Sequence, residues 1–416
     1  MKGFKNMREE CFSCNRDNRT IRGMQYYPED YQEGQKYPGV IVSHGFMGHC
    51  LDMAGWCRDF ARIGYMAFGF NFCGGARSVK DDALQSDGKS TEMNISTEIA
   101  DLLAVIGFVK GQPSVDTGDL ILMGESQGGF VSGLAAAKCG SGIKKLIMIF
   151  PALCIPDHAR QGHLGGSSYR TDNVPEILDC GHTLLGRAFH EDVAGMDPYL
   201  GLSAYEGPVL LLQGLEDPVV NYSYAIRAKE NYREGQCHLQ IIRDMGHGLT
   251  KEQHDSAFSS IRYFLAGREE ILTIRIIITH SEEVPEGEVR RTDLYFTGYC
   301  ETGYFQGVVL PGGCDARRQY PDGETKVRAE YTLDGLDRDG EKCHIHIVNQ
   351  WGGNDWKPVI ETDSAALDWL NRADLTAVVE GGKGGPTIRI FADAAETDQD
   401  KIYNECDPGA FETGIE

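Results

Sequence analysis

Four consecutive apolar residues, Leu120-Ile121-Leu122-Met123, run straight into Gly124-Glu125-Ser126-Gln127-Gly128-Gly129 and then into the small-residue stretch Phe130 to Lys138. A short apolar run of this kind reads as a strand buried on both faces, and the stretch after it as a helix. Glycines on either side of Ser126 permit a bend too sharp for residues that carry a Cβ. Strand, tight turn and helix therefore follow one another with Ser126 at the apex. A strand buried on both faces needs helices above and below it, which points to a mostly parallel α/β sheet.

The flanking sequence keeps the same rhythm from about Tyr37 to Gly267. Val40 to Ser43, Tyr65 to Phe70, Leu146 to Phe150, Val209 to Gln213 and Leu239 to Ile242 read as further strands. Asp52 to Ile63, Thr97 to Val109, Ser223 to Tyr232 and Lys251 to Leu265 read as the helices between them. Glu10 to Cys14 and Ile21 to Tyr26 form an expected antiparallel pair ahead of the sheet. One stretch, 151–205, is far longer than a connection between neighbouring strands requires. It is expected to be an insertion that forms a lid over a pocket.

After Gly267 the pattern changes to short strand-like runs separated by turns such as Pro321-Asp322-Gly323. Ile271 to Thr279, Asp293 to Tyr299, Phe305 to Leu310, Lys326 to Leu333, His344 to Val348, Leu375 to Glu380 and Thr387 to Phe391 predict a second, all-β domain, a barrel or a sandwich. A single core rarely grows past roughly 300 residues, so 416 residues suit two domains. The expected division is 1–267 and 268–416, with a loosely packed acidic tail after Asp393.

The formal charge is −22, and from Arg268 onward there are about 30 acidic against 15 basic residues. Nucleic acid and anionic membranes both require a basic face, so neither is expected as a partner. A charged beginning, no long apolar run and 13 scattered cysteines suit a cytoplasmic protein without a disulfide framework. Cys11 and Cys14 make one C-x-x-C, with no second pair at zinc spacing.

A serine hydroxyl is a weak nucleophile at neutral pH. It needs an imidazole to take its proton and a carboxylate to orient that imidazole. Asp217 stands in Gly214-Leu215-Glu216-Asp217-Pro218, just beyond a strand, and His247 in Asp244-Met245-Gly246-His247-Gly248, just before the last helix. Both turns are expected to reach the sheet edge that carries Ser126, in the order serine, acid, histidine. Glu216 lies one position early, Asp244 is too near His247 in sequence, and His254 falls inside a helix. The two amides expected to face a developing oxyanion are those of Gln127, after the serine, and Phe46, in Ser43-His44-Gly45-Phe46-Met47-Gly48. His44 reads as a hydrogen-bonder that steadies this loop and as a candidate substrate contact. The set as a whole is an arrangement for acyl transfer through a covalent intermediate, with no metal and no cofactor.

Lys36-Tyr37-Pro38-Gly39-Val40-Ile41-Val42-Ser43-His44-Gly45-Phe46, the Ser126 turn, Leu211-Leu212-Gln213-Gly214-Leu215-Glu216-Asp217 and Met245-Gly246-His247 resemble the bacterial cinnamoyl and feruloyl esterases of the α/β-hydrolase fold. So do Pro151-Ala152-Leu153-Cys154-Ile155-Pro156-Asp157-His158-Ala159-Arg160 and Asn173-Val174-Pro175-Glu176-Ile177-Leu178, which look like that family's lid. The resemblance implies esters of ferulate, caffeate or p-coumarate as substrates, with a lid acid, here Asp157, meeting the phenolic hydroxyl. Phe189 stands where some members carry a tyrosine that binds the ring hydroxyl, Glu125 where a histidine is usual, and 73–89 is longer than in the family. The alternatives for the same three residues are a short-chain acyl ester, a thioester or a peptide.

The second domain resembles bacterial β-barrel domains of unknown function. Gly307-Val308-Val309-Leu310-Pro311-Gly312-Gly313-Cys314-Asp315, Tyr320-Pro321-Asp322-Gly323, Ala329-Glu330-Tyr331-Thr332-Leu333 and Asp368-Trp369-Leu370-Asn371-Arg372 carry that likeness. It implies a barrel and no chemistry. A substrate-binding or dimerising module is the expected role, which would make the protein a homo-oligomer; a separate catalyst acting on the released acid is the other reading. His344 and His346 alternate on one strand and share a face. With Asp315 they make a set to weigh for metal, against a polar barrel face or a metal-free pocket, which the sequence favours.

Overall fold

The computed structural model describes residues 7–77, 83–233, 235–351, 356–381 and 385–393. The expected acidic tail after Asp393 lies outside the described residues, as does part of the long 73–89 segment. The chain divides into two compact units, Met1–Phe258 and Ser259–Glu416.

In the first unit a hairpin of β1 (Glu9–Arg16) and β2 (Arg19–Tyr26) precedes β3 (Tyr37–Ser43), α1 (Ala54–Arg62), β4 (Met66–Phe70), α2 (Ile95–Lys110), β5 (Val115–Glu125), α3 (Gln127–Cys139) and β6 (Lys145–Ile149). The long stretch expected as an insertion follows, with α4 (Ile155–Arg160), α5 (Arg187–Val193), α6 (Pro198–Leu202) and two short hairpins, His163–Leu164 with Ser167–Ser168 and Ile177–Asp179 with Leu184–Gly186. The sheet resumes with β7 (Val209–Gly214), α7 (Ser223–Glu230), β8 (Cys237–Ile242) and α8 (Lys251–Leu265).

The eight strands lie in the order β1-β2-β4-β3-β5-β6-β7-β8. β1 and β2 are antiparallel to their neighbours and the rest run parallel. Burial explains the near-continuous apolar strands: Val40, Ile41, Val42, Leu120, Leu122, Met123, Leu146, Ile147, Leu211 and Leu212 are fully enclosed. With both faces covered, the ends of the strands are where polar groups can meet a ligand. The two helices that flank the Ser126 turn start differently. Asn94 caps α2 by accepting from the Thr97 N–H, whereas Ser126 itself precedes α3 at φ 50°, ψ −119°, outside helical geometry.

The second unit is all β. Its strands are β9 (Arg268–Glu286), β10 (Val289–Glu301), β11 (Phe305–Val309), β12 (Gly313–Gln319), β13 (Thr325–Asp337), β14 (Lys342–Trp351), β15 (Trp356–Thr362), β16 (Thr376–Glu380) and β17 (Thr387–Asp393). They follow the order β9-β17-β16-β15-β14-β13-β11-β10-β12. Extra pairings of β9 with β10 and of β13 with β12 close the antiparallel ladder into a barrel. Closure removes the open edges that would otherwise recruit other strands. β12 and β15 were not expected from the sequence, because Arg317, Arg318, Lys357 and Glu361 interrupt their apolar pattern.

The end of α8 belongs to this second unit. Tyr263 stacks on Phe391 with ring centroids 3.9 Å apart, and Ser260 Oγ accepts from Arg389. Arg389, 2% exposed, is also held by Glu270 and Glu380, so its buried charge is paired on two sides. These contacts tie the last turns of α8 to β17. Among the described residues no helix is long and apolar enough to cross a membrane.

Candidate active site

Ser126 is held in a backbone conformation that L-residues avoid, at a cost of about 1–3 kcal/mol. What over-determines it is visible on both sides. Its N–H donates to the Ile149 carbonyl on β6, and its carbonyl accepts from the Phe130 and Ala152 amides. Gly124 and Gly128 pack backbone on backbone, and a Cβ on Gly128 would be driven into the Ser43 and His44 carbonyls. The glycines are therefore required by contact distance here, since neither has a positive φ.

The turn lifts the hydroxyl toward the two later loops. Ser126 Oγ lies 2.9 Å from His247 Nε2, and His247 Nδ1 lies 2.8 Å from Asp217 Oδ2. The Asp217 side chain is fully buried, while that of His247 retains 20% exposure. Asp217 also accepts from the Val219 and Val220 amides at 2.8 Å and from Gln213 Nε2 at 3.2 Å. Every lone pair that faces the protein is thus engaged, which keeps a buried carboxylate from being stranded. The two loops are tied together, since the Glu216 N–H donates to the Met245 carbonyl and the Leu215 N–H to that of Ile242. The Phe150 ring stands 4.8 Å from the His247 ring and limits its rotation.

Ser126, Asp217 and His247, expected together from their order, are brought together. Glu216 and Asp244 are not at the imidazole. His254 lies elsewhere, bonded to Asp59 at 2.8 Å and packed on Trp56.

The loop after β3 runs against the serine. A Cβ placed on Gly45 would sit 3.2 Å from Ser126 Cβ. Gln127 is the first residue of α3, where the amide has no intrahelical acceptor and the helix dipole is positive. Phe46 follows Gly45 in the loop, with its ring edge-on to His182, 5.8 Å between centroids.

His44 does not fill the substrate-contacting place considered for it. It is 1% exposed, its Nδ1 donates to the Gly45 carbonyl at 2.8 Å, and its Nε2 accepts from the Phe72 amide at 3.3 Å. Burial pushes its pKa down to about 4 and keeps the ring neutral. Both nitrogens are spent on the loop. Phe189 is likewise enclosed, 2% exposed within the main apolar cluster, and presents no face to a ligand.

Asp157, on α4, lines a cavity of about 290 Å³ with Leu153, Arg160, Met196, Tyr199 and Arg227. It pairs with Arg160 at 2.5 Å and accepts from Tyr224 Oη at 3.0 Å. Burial opposes its charge, but Arg160 and Tyr224 outweigh burial and hold its pKa below the usual carboxylate value.

Two buried acids stand beside the Ser126 turn, Glu125, which the sequence marked only as a departure from the family, and Glu98, which it did not mark. Glu98, on α2 and 1% exposed, accepts from Gln127 Nε2 at 2.8 Å. Glu125 accepts from Trp56 Nε1 at 2.6 Å, and burial pushes its carboxyl up. A signal for Glu98 existed: it falls on the same helical stripe as Ile95, Ile99, Leu102 and Val105, all of which face the core.

In the second unit, the metal set weighed from the sequence does not assemble. His344 meets Asp363 and Asp334, and His346 meets Thr332 and Glu330, on the outer face. Asp315 pairs in register with Ala329, on the inner face. Among the described residues no group of three or more potential ligands converges.

Residues 35–191 match the family described as serine aminopeptidase, S33. The fold is similar to that of Est1E from Butyrivibrio proteoclasticus, solved with ferulic acid bound, at 25% identity and a TM-score of 0.55. That likeness covers 61% of this chain and 98% of that one. A second structure of Est1E gives 24% identity and a TM-score of 0.53, covering 62% and 98%. A hypothetical protein from Pseudomonas aeruginosa shares the fold at 12% identity and a TM-score of 0.51, covering 62% and 93%. No curated protein matches the sequence. The N-terminal part has the α/β-hydrolase fold of the serine hydrolases and esterases, and a separate all-β domain follows it.

Proposed function

We propose that this α/β-hydrolase domain cleaves carboxylic esters through an acyl-enzyme, with Ser126 as nucleophile, His247 as base and Asp217 as the group that orients it. The observation that carries the reading is the unbroken relay from Ser126 Oγ through His247 to a fully buried Asp217. His247 Nε2 takes the hydroxyl proton as Oγ attacks the ester carbonyl. The Gln127 and Phe46 amides receive the oxyanion. His247 then gives its proton to the leaving alcohol, and a water activated at the same nitrogen releases the acid. None of these steps calls on a metal or cofactor.

Within this reading the acyl group is a hydroxycinnamate. Two things support it: Asp157 on the wall of a cavity of about 290 Å³, whose lining includes none of Ser126, Asp217 and His247, and the ferulic acid bound to Est1E. Two observations favour a simpler acyl ester or thioester. Asp157 is already satisfied by Arg160 and Tyr224, and Phe189 is enclosed.

The test is steady-state turnover of p-nitrophenyl acetate and methyl ferulate by wild type and Ser126→Ala, with fluorophosphonate labelling read by mass. Labelling at Ser126 and loss of both activities in the variant are expected. Near-wild-type turnover by Ser126→Ala would overturn the mechanism, and equal efficiency on the two esters would replace the hydroxycinnamate with a general acyl group.

A further inference from the structure

Asp315 Oδ1, Asn349 Oδ1 and Tyr331 Oη are buried in the barrel without a partner among the described residues, as are Trp369 Nε1 and Thr376 Oγ1 elsewhere in the same unit. Buried polar atoms are almost always paired, so three that fall on one inward face ask for an explanation. Asn349 is 1% exposed and Tyr331 2%.

Their positions are related by strand register. Asp315 on β12 pairs with Ala329 on β13, and Ala329 pairs with Asn349 on β14. Paired residues of an antiparallel ladder point to the same side, and Ala329 is part of the barrel core. Asp315, Ala329 and Asn349 thus form one lateral row facing inward, with the smallest side chain in the middle. Tyr331 stands two residues beyond Ala329 on the same face of β13. Its ring meets Phe296 edge-on at 5.4 Å, across Gly313, whose missing side chain leaves them room to touch.

We propose that this interior row is a binding site for a small, uncharged ring compound bearing hydroxyl groups, which donate to Asn349 Oδ1 and Asp315 Oδ1 while Tyr331 Oη closes the set. The chemistry follows by elimination. Two acceptor oxygens, one on a carboxyl group, repel an anion. A single carboxyl group in the row is too few to hold a divalent cation, and no group of three or more potential metal ligands converges among the described residues. A neutral donor remains, and the Phe296 and Tyr331 rings with Ile347 supply the apolar wall that an aromatic or alicyclic ring requires. Burial raises the Asp315 carboxyl, which favours a neutral partner there. β11 and β12 lie end to end between β10 and β13, so the nine strands fill eight positions around the barrel, a number at which an interior can be filled by side chains or hold one small ligand.

Isothermal titration of the full-length protein with phenol, catechol and cyclohexanol tests this, with inorganic phosphate and Ca²⁺ alone as comparisons. At least one of the hydroxyl compounds should bind saturably. Asn349→Leu and Tyr331→Phe should each weaken that binding roughly tenfold, with an unchanged circular dichroism spectrum and a cooperative melt. Tyr331→Phe removes only an unpaired hydroxyl, so it decides the matter if Asn349→Leu does not fold. No saturable binding of any hydroxyl compound, binding unaltered in the variants, or binding of phosphate or Ca²⁺ only would overturn the site.

Discussion

Gln127 Nε2 donates a 2.8 Å hydrogen bond to Glu98, a carboxyl group buried on α2 directly beneath the helix that begins after Ser126. The backbone amide proposed to face the oxyanion is thereby fixed by its own side chain. Burial pushes the Glu98 carboxyl up to about 8, against a smaller opposing effect of the Gln127 bond. The folded protein therefore binds this proton more tightly than the unfolded chain does. The contribution is fully present below the ordinary glutamate pKa of about 4.5 and is lost as pH rises through about 8. Urea denaturation between pH 5 and 9 should show stability falling with pH, and Glu98→Gln should flatten that slope while keeping turnover near neutral pH. An unchanged slope in the variant would assign the effect to other groups.

Asp217→Asn should leave the fold intact and lower kcat on p-nitrophenyl acetate by about 10⁴-fold, because the amide stabilises the wrong imidazole tautomer. The pH-rate profile and kcat measured together check this. A loss below about tenfold would move the orienting role to another residue.

Gly128→Ala should remove activity and destabilise the N-terminal unit by roughly 1–3 kcal/mol, since the added methyl meets the Ser43 and His44 carbonyls. Thermal melting read beside turnover separates the two effects. Gly34→Ala is the control for backbone strain alone, because that glycine has positive φ with open space around it.

Asp157→Ala should raise KM for methyl ferulate by about tenfold, the worth of one charge-assisted hydrogen bond, and leave p-nitrophenyl acetate unaffected. A parallel rise for both esters would mean that Asp157 only holds α4 through Arg160 and Tyr224.

Much of the site was legible because its signals are local. The Leu120 to Met123 run, the glycines and the small-residue helix can form little other than strand, bend and helix, and β5 and α3 meet at Ser126 as expected. Asp217 and His247 follow from where their turns fall relative to β7 and α8. β12 and β15 escaped because a barrel strand with one solvated face and several charges looks like a loop when read alone. His44 is expected from the sequence both to steady its loop and to meet substrate, and the fold keeps only the first, while Phe189, also a candidate ligand contact, fills the core; residue type and position say nothing of burial.

The sequence by itself determined the two-part architecture, the bend at Ser126 and the order of serine, acid and histidine, all of which rest on periodicity and backbone sterics over a few residues. Tertiary structure alone decided which polar groups are satisfied. It spent both nitrogens of His44 on its own loop, set Glu98 beneath Gln127, and placed Asp315 inside the barrel with the His344 and His346 pair outside. Those outcomes depend on register and burial between residues far apart in the chain, where a shift of one position turns a side chain to the opposite face.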